Sequence, residues 1–216
     1  HLKGLRIAFS PDLSFAPVDP EVAAIARSGA VALAREFGAT LEFASPEVTD
    51  SQDLFLTLVA LDTDRSGLRA MAAENRYLFT PQLQQLLDKS WDADAFTGAI
   101  LGRKHVNNLV WRFMERFDLL LTPTTATPAF EIDSEGPTHI AGIKVEQSAW
   151  TPFSALANLT GLPAASVPAG MTGDGRPVGL QIMGRHLDDL GVLRAAAGVE
   201  RILPWSGRWP ELVRGL

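Results

Sequence analysis

Nucleophilic acyl transfer needs a nucleophile, a base to take its proton and donors for the oxyanion. The sequence contains no Gly-x-Ser-x-Gly turn, no His-Glu-x-x-His and no adjacent pair of serines. Its four histidines, His1, His105, His139 and His186, stand in unrelated contexts, and His105, inside a periodic helical stretch, reads as a surface or packing residue. Lys89 and Ser90 are adjacent, but neighbours on a helix do not face each other, so they do not make a Ser-Lys site. Asp174, Asp188 and Asp189 read as turn and helix-start residues. Nothing spaces Asp, Glu or His as metal ligands. Gly173-x-Gly175 is a hairpin signal and not a phosphate cradle, because no helix follows it. No residue is therefore nominated as catalytic or metal-binding.

What remains is material for lining a cleft. Thr122, Pro123 and Thr124 end a strand expected over Asp118–Leu121. In α/β sheets ligands sit beyond the carboxyl ends of strands, so these three are candidate substrate contacts. Trp150 and Phe153 are apolar candidates beside a helix start, with ordinary burial as the competing reading. Gln181 and Asn158 read as amide side chains that satisfy backbone groups.

The elements that must position these residues are legible in order. Leu5–Phe9 reads as a strand. Asp19 and Pro20 form an N-cap and first helical position, a helix runs to Phe37 with Val22, Ile25, Ala26, Gly29, Leu33 and Phe37 on one face, and Gly38 stops it. Thr40–Phe43 is a second strand, and strand–helix–strand implies a parallel crossover. Helices are expected over 53–61, 67–77 and 81–87. A stronger one spans 94–117, where Phe96, Ile100, Val106, Leu109, Val110, Phe113 and Phe117 recur at helical spacing as a packing stripe. Residues 126–149 form a loop excursion with a small hairpin at Ile140–Val145. Thr151 and Pro152 open a further helix, as cap and first position, and Gly161 ends it. Ala164–Val167 and Val178–Met183 read as strands covered on both faces, joined by hairpin punctuation at 172–177. Asp188 and Asp189 begin a last helix.

Composition narrows the function class. Lys and Arg number 19 against 25 Asp and Glu, a net charge of −6, and hydrophobic residues make up 46%. Such a chain buries a substantial core, and without basic clusters it is not expected to bind nucleic acid or a membrane surface. It contains no cysteine, which excludes disulfides, thiolate catalysis and zinc–thiolate sites. There is no apolar run long enough to span a bilayer, and the N-terminus leads into a strand rather than a signal peptide. A cytoplasmic, single-domain reading over 1–216 follows as an expectation.

Three blocks carry a resemblance: Asn158-Leu-Thr-Gly-Leu-Pro-Ala, Ser166-Val-Pro-Ala-Gly and Pro177-Val-Gly-Leu-Gln-Ile-Met-Gly. Together with Leu119-Leu-Leu-Thr-Pro-Thr and Leu2-Lys-Gly-Leu-Arg-Ile-Ala, they resemble the C-terminal half of the amidase signature family. The resemblance implies an α/β fold with a mixed sheet between helices and an amide-hydrolysing parent that uses no cofactor. Members of the family acylate a serine, with a lysine acting through a second serine in a cis peptide and backbone N–H groups receiving the oxyanion. The family's lysine and Gly-Gly-Ser-Ser-Gly stretch lie upstream of the part resembled, so none of those roles maps onto a residue here. By the same resemblance Trp150 and Phe153 precede a helix at the active-site cleft, where they line an acyl or leaving-group pocket. The substrate is then a small-molecule amide, and the chain alone is expected to be inactive. It is also expected to pair with the N-terminal half or to self-associate. Amidotransferase members of the family carry an acid before the Asn-x-x-Gly-x-Pro motif. Here Trp150-Thr-Pro-Phe-Ser-Ala has none, which favours a plain amidase over that alternative or a non-catalytic scaffold.

Overall fold

A computed structural model describes residues 3–207; His1 and Leu2, which figure among the sequence candidates, lie outside them. The first strand, β1 (Arg6–Phe9), leads to α1 (Pro20–Phe37). The Asp19 carboxylate accepts from the N–H groups of Glu21 and Val22, Pro20 occupies the first turn, and Gly38 closes the helix at φ 61°. In that left-handed conformation a side chain is strained, so glycine fits. Val22, Ala26, Gly29 and Leu33 are buried, as the apolar spacing requires. β2 (Thr40–Phe43) returns parallel to β1, the arrangement a helical crossover makes.

The chain divides into two compact units, Ser51–Val106 being one and the chain on either side of it the other. The smaller holds α2 (Gln52–Asp62), α3 (Arg65–Asn75), α4 (Pro81–Asp88) and the first part of α5 (Ala93–Arg116). Few of its side chains are buried; Ala60, Ala72, Leu87, Ala99 and Val106 are. Polar ties supplement them: the Arg69 guanidinium donates to the Leu87 carbonyl at 2.6 and 2.9 Å, and Arg76 pairs with Asp88. Lys89 lies beyond the end of α4, its ammonium 4.3 Å from the Trp91 ring centre. Along α5 Val106, Val110 and Phe113 are buried, as is Phe117 just past its end, while Ile100 is exposed. The stripe is thus a packing face along its C-terminal part.

In the larger unit β3 (Leu119–Pro123) is buried throughout and parallel to β1. A two-stranded hairpin follows, β4 (His139–Ile140) with β5 (Ile143–Lys144), and then α6 (Pro152–Thr160). β6 (Ala164–Met171) and β7 (Pro177–Gly184) form an antiparallel hairpin, and β7 also runs antiparallel to β3. Finally comes α7 (Asp189–Ile202), capped by the Asp188 carboxylate on the N–H of Gly191. The mixed sheet runs β2-β1-β3-β7-β6. Its core packs Ile7, Phe9, Leu119, Leu121, Leu180 and Ile182 against Ala26 and Leu33 of α1 and Val199 of α7. Alternation along β7 turns Gln181 to the opposite face, the side of Phe153 in α6.

Two local expectations change. β6 is not covered on both faces: it is the edge of the sheet, and only Val167 and Ala169 along it are buried. An apolar, charge-free run does not distinguish an inner strand from an edge whose second face is open. Thr151 precedes α6, but its side chain makes no capping bond and instead donates to the Ser148 carbonyl at 3.1 Å. The 3-10 turn Gln147–Trp150 immediately before it supplies that nearer acceptor.

Candidate functional site

Thr122, Gln181 and Ser166 lie directly opposite one another on β3, β7 and β6. Thr122 is fully buried; its hydroxyl donates to the Pro123 carbonyl at 2.8 Å and accepts from Gln181 Nε2 at 3.3 Å. The same Nε2 donates to the Phe153 carbonyl at 3.2 Å. Gln181 therefore ties β3 to the first turn of α6, the structural role its type suggests. Asn158 does the like within α6, donating to the Ser154 carbonyl at 2.8 Å.

One step up the sheet, Thr124 donates its N–H to the Gly179 carbonyl at 3.0 Å, just past the end of β3. Its hydroxyl lies 2.7 Å from that of Ser166. Pro123 is buried, and Thr125 turns its hydroxyl onto the Thr127 carbonyl at 2.8 Å. The chain then passes Ala126, whose N–H donates to the Trp150 carbonyl at 2.9 Å and whose carbonyl accepts from Asp19 at 2.8 Å.

The five sequence candidates thus fall into linked groups. Thr122 and Phe153 meet through Gln181, and Phe153 is fully buried behind them. Thr124 joins Ser166. Trp150 is half-buried, edge-on to Phe130 with ring centres 5.4 Å apart, and reaches the Thr122–Thr125 segment through Ala126. Ser166 is not among the sequence candidates, although it opens one of the resembling blocks. Its partner stands 42 residues away, so no local pattern could reveal the pair.

Charge is kept to the periphery. Residues 119–130, 147–172 and 177–184, which build this region, contain no Asp, Glu, Lys, Arg or His. Asp118 stands at the foot of β3. Burial would raise its pKa, but the Arg6 N–H and guanidinium and the Arg185 guanidinium at 2.8 Å outweigh that and lower it. At the β6–β7 turn, hydrogen bonds from Arg176 and the Thr172 hydroxyl pull the Asp174 carboxyl down to about 2. Asp188 caps α7, so these aspartates are structural. His105 is exposed. Among the described residues, no three His, Asp or Glu side chains converge as metal ligands would. A hollow of about 950 Å³ lies elsewhere, lined by the outer face of α1 and by Arg201 and Ile202.

The amidase family model matches residues 1–193 of this chain. An acylamidase of Rhodococcus erythropolis is 33% identical over 97% of the chain and 44% of its own length. A glutamyl-tRNA(Gln) amidotransferase component of Brevibacillus brevis is 30% identical over 99% of the chain and 48% of its own. Among solved structures, a bacterial aryl acylamidase of the amidase signature family superposes with a TM-score of 0.83 at 29% identity, covering 95% of this chain and 45% of that one. The chain spans about half the length of the relatives it matches. The family model, the relatives and the shared fold agree with the motifs read at 119–124, 158–164, 166–170 and 177–184: the chain belongs to the amidase signature family.

Proposed function

We propose that this chain is the C-terminal half of a serine hydrolase that cleaves linear carboxylic amides. It supplies the wall of a substrate cleft through Thr124 and Trp150, backed by the buried Thr122, Pro123 and Phe153. The observation that carries the reading is the amidase match over residues 1–193, in a chain that has no Ser-Ser pair of its own. On this reading the nucleophile and its lysine belong to the other half of a single fold. The partners are then a small-molecule amide and that N-terminal half, with no cofactor and no catalytic residue from this chain. The acylamidase relatives favour acyl amides as substrates. The uncharged stretch 147–172 speaks against an amidotransferase, because it offers no acid to hold an amino group.

Incubation of the purified chain with aryl and aliphatic amides and with a serine-directed fluorophosphonate tests this. Neither turnover nor labelling is expected from the chain alone, and both are expected once it is joined to an amidase N-terminal half. Steady hydrolysis by the chain by itself, or labelling of one of its own serines, would overturn the division of labour.

A further inference from the structure

Thr124, Gly179 and Pro168 form one rung across β3, β7 and β6, two residues along from the rung of Thr122, Gln181 and Ser166. Residues directly opposed across strands project from the same face, so both rungs belong to the side of the sheet that α6 partly covers. Gly179 leaves a bare patch there, and the Thr124 hydroxyl reaches diagonally over it to Ser166. A Cβ at position 179 would stand 2.5 Å from Thr124 Oγ1 and 3.0 Å from Ser166 Oγ. The hydroxyl pair exists because that position has no side chain.

Two hydroxyls joined by one hydrogen bond retain one O–H to donate and lone pairs to accept. Ser166 stands on the open face of the edge strand. A neutral amide group presents the matching set, a carbonyl that accepts and an N–H that donates. The stretches around the pair carry no ionisable side chain at all. A charged group set against them would give up water for neutral partners only, at greater cost than an uncharged one.

We infer that the Thr124–Ser166 pair is a binding spot for a neutral amide group, in uncharged surroundings that disfavour a ligand carrying charge beside that group. The inference rests on the amide-hydrolase reading and deepens it, adding Ser166 and Gly179 to the site.

Titration of the isotope-labelled chain, followed by NMR, tests it with three probes. These are acetanilide, its 4-carboxylate and its 4-trimethylammonium analogue. Acetanilide should shift the backbone signals of Thr124, Ser166 and Gly179 saturably, and each charged analogue should bind about tenfold more weakly or worse. Thr124→Val and Ser166→Ala should each weaken acetanilide binding several-fold while leaving distant signals in place. Should either variant fail to fold, the three-probe comparison on the unaltered chain still decides. Equal binding of a charged probe, shifts confined to other regions, or no saturable shift would overturn the inference, as would full retention of binding in folded variants. Binding is read without turnover, so failure of the amide-hydrolase reading shows separately, as absent hydrolysis after joining to an amidase N-terminal half.

Discussion

Gln181 Nε2 stands 3.2 Å from the carbonyl oxygen of Phe153 and 3.3 Å from the hydroxyl of Thr122, with only 6% of the Gln181 residue exposed. One buried amide thus holds a central strand, its neighbour and the opening turn of α6 in fixed relation. Removing the donor takes a hydrogen bond from both the Phe153 carbonyl and the Thr122 hydroxyl in a place water does not readily reach. Gln181→Leu should lower stability by about 1–2 kcal/mol. Gln181→Glu should cost more, since it sets a carboxylate against two oxygen atoms. Urea melts of both variants measure this; a neutral Gln181→Leu would mean the amide is not structural.

Asp118 ties the start of β3 to β1 and to the residue following β7. Its carboxylate accepts from the Arg6 N–H at 2.8 Å and pairs with Arg185 at 2.8 Å. Its pKa is lowered in the fold from the ordinary 3.8. The stability it adds is therefore present above pH 3.8 and is lost as the pH falls through the lower folded value. Asp118→Asn should cost on the order of 1–2 kcal/mol near neutral pH, the arginines being half exposed, and should flatten the stability profile below about pH 4. Melts from pH 2.5 to 7 give the comparison; an unchanged acid limb would remove Asp118 from the account.

Glycines at two positions should respond oppositely to alanine. At 179 the new Cβ meets Thr124 Oγ1 at 2.5 Å and Thr124 Cβ at 2.9 Å, so Gly179→Ala should destabilise by about 1–3 kcal/mol. At 98, on the exposed side of α5, nothing stands within 4 Å. There Gly98→Ala should stabilise by about 0.5–1 kcal/mol through helix propensity. Thermal melts of the two variants check the contrast, and equal shifts would count against the crowding at Gly179.

Helix caps give a second contrast. Asp19 accepts from two N–H groups at the start of α1, at 2.8 and 3.3 Å, so Asp19→Ala should cost about 1 kcal/mol. Thr151 makes no such bond, and Thr151→Ala should stay within about 0.5 kcal/mol. A larger loss at Thr151 in denaturant would restore it as a cap.

Edge strand β6 carries no charged residue along Ala164–Met171, and strand edges of that kind invite pairing. Pro168 and the register shift between Pro168 and Gly170 blunt only its second half. Light scattering over a concentration series should therefore show self-association of the chain, and Ala164→Lys should reduce it. A monomer at all concentrations would mean this edge needs no partner.

The motifs place the family, and local signals place most of the elements. Asp19-Pro20 and Gly38 mark both ends of α1, and the glycines at 173 and 175 with the flanking apolar runs mark the β6–β7 hairpin. The parallel pairing of β1 with β2 follows from the helix between them. Thr122, Pro123 and Thr124 are legible as the end of a strand, since strand ends in α/β sheets are where small polar residues gather.

Order along the chain determined these things because caps, turns and alternation act over a few residues. Which strand became the edge, and which hydroxyl Thr124 would meet, were decided only when β7 came to lie between β3 and β6. Cross-strand neighbours are set by sheet order and register, and Gly179 matters by what it leaves empty between two side chains on other strands. Thr151 shows the same limit from the other direction. Its type and position suit a cap, yet a 3-10 turn just before it presented the Ser148 carbonyl as a nearer partner, and its hydroxyl turned there instead.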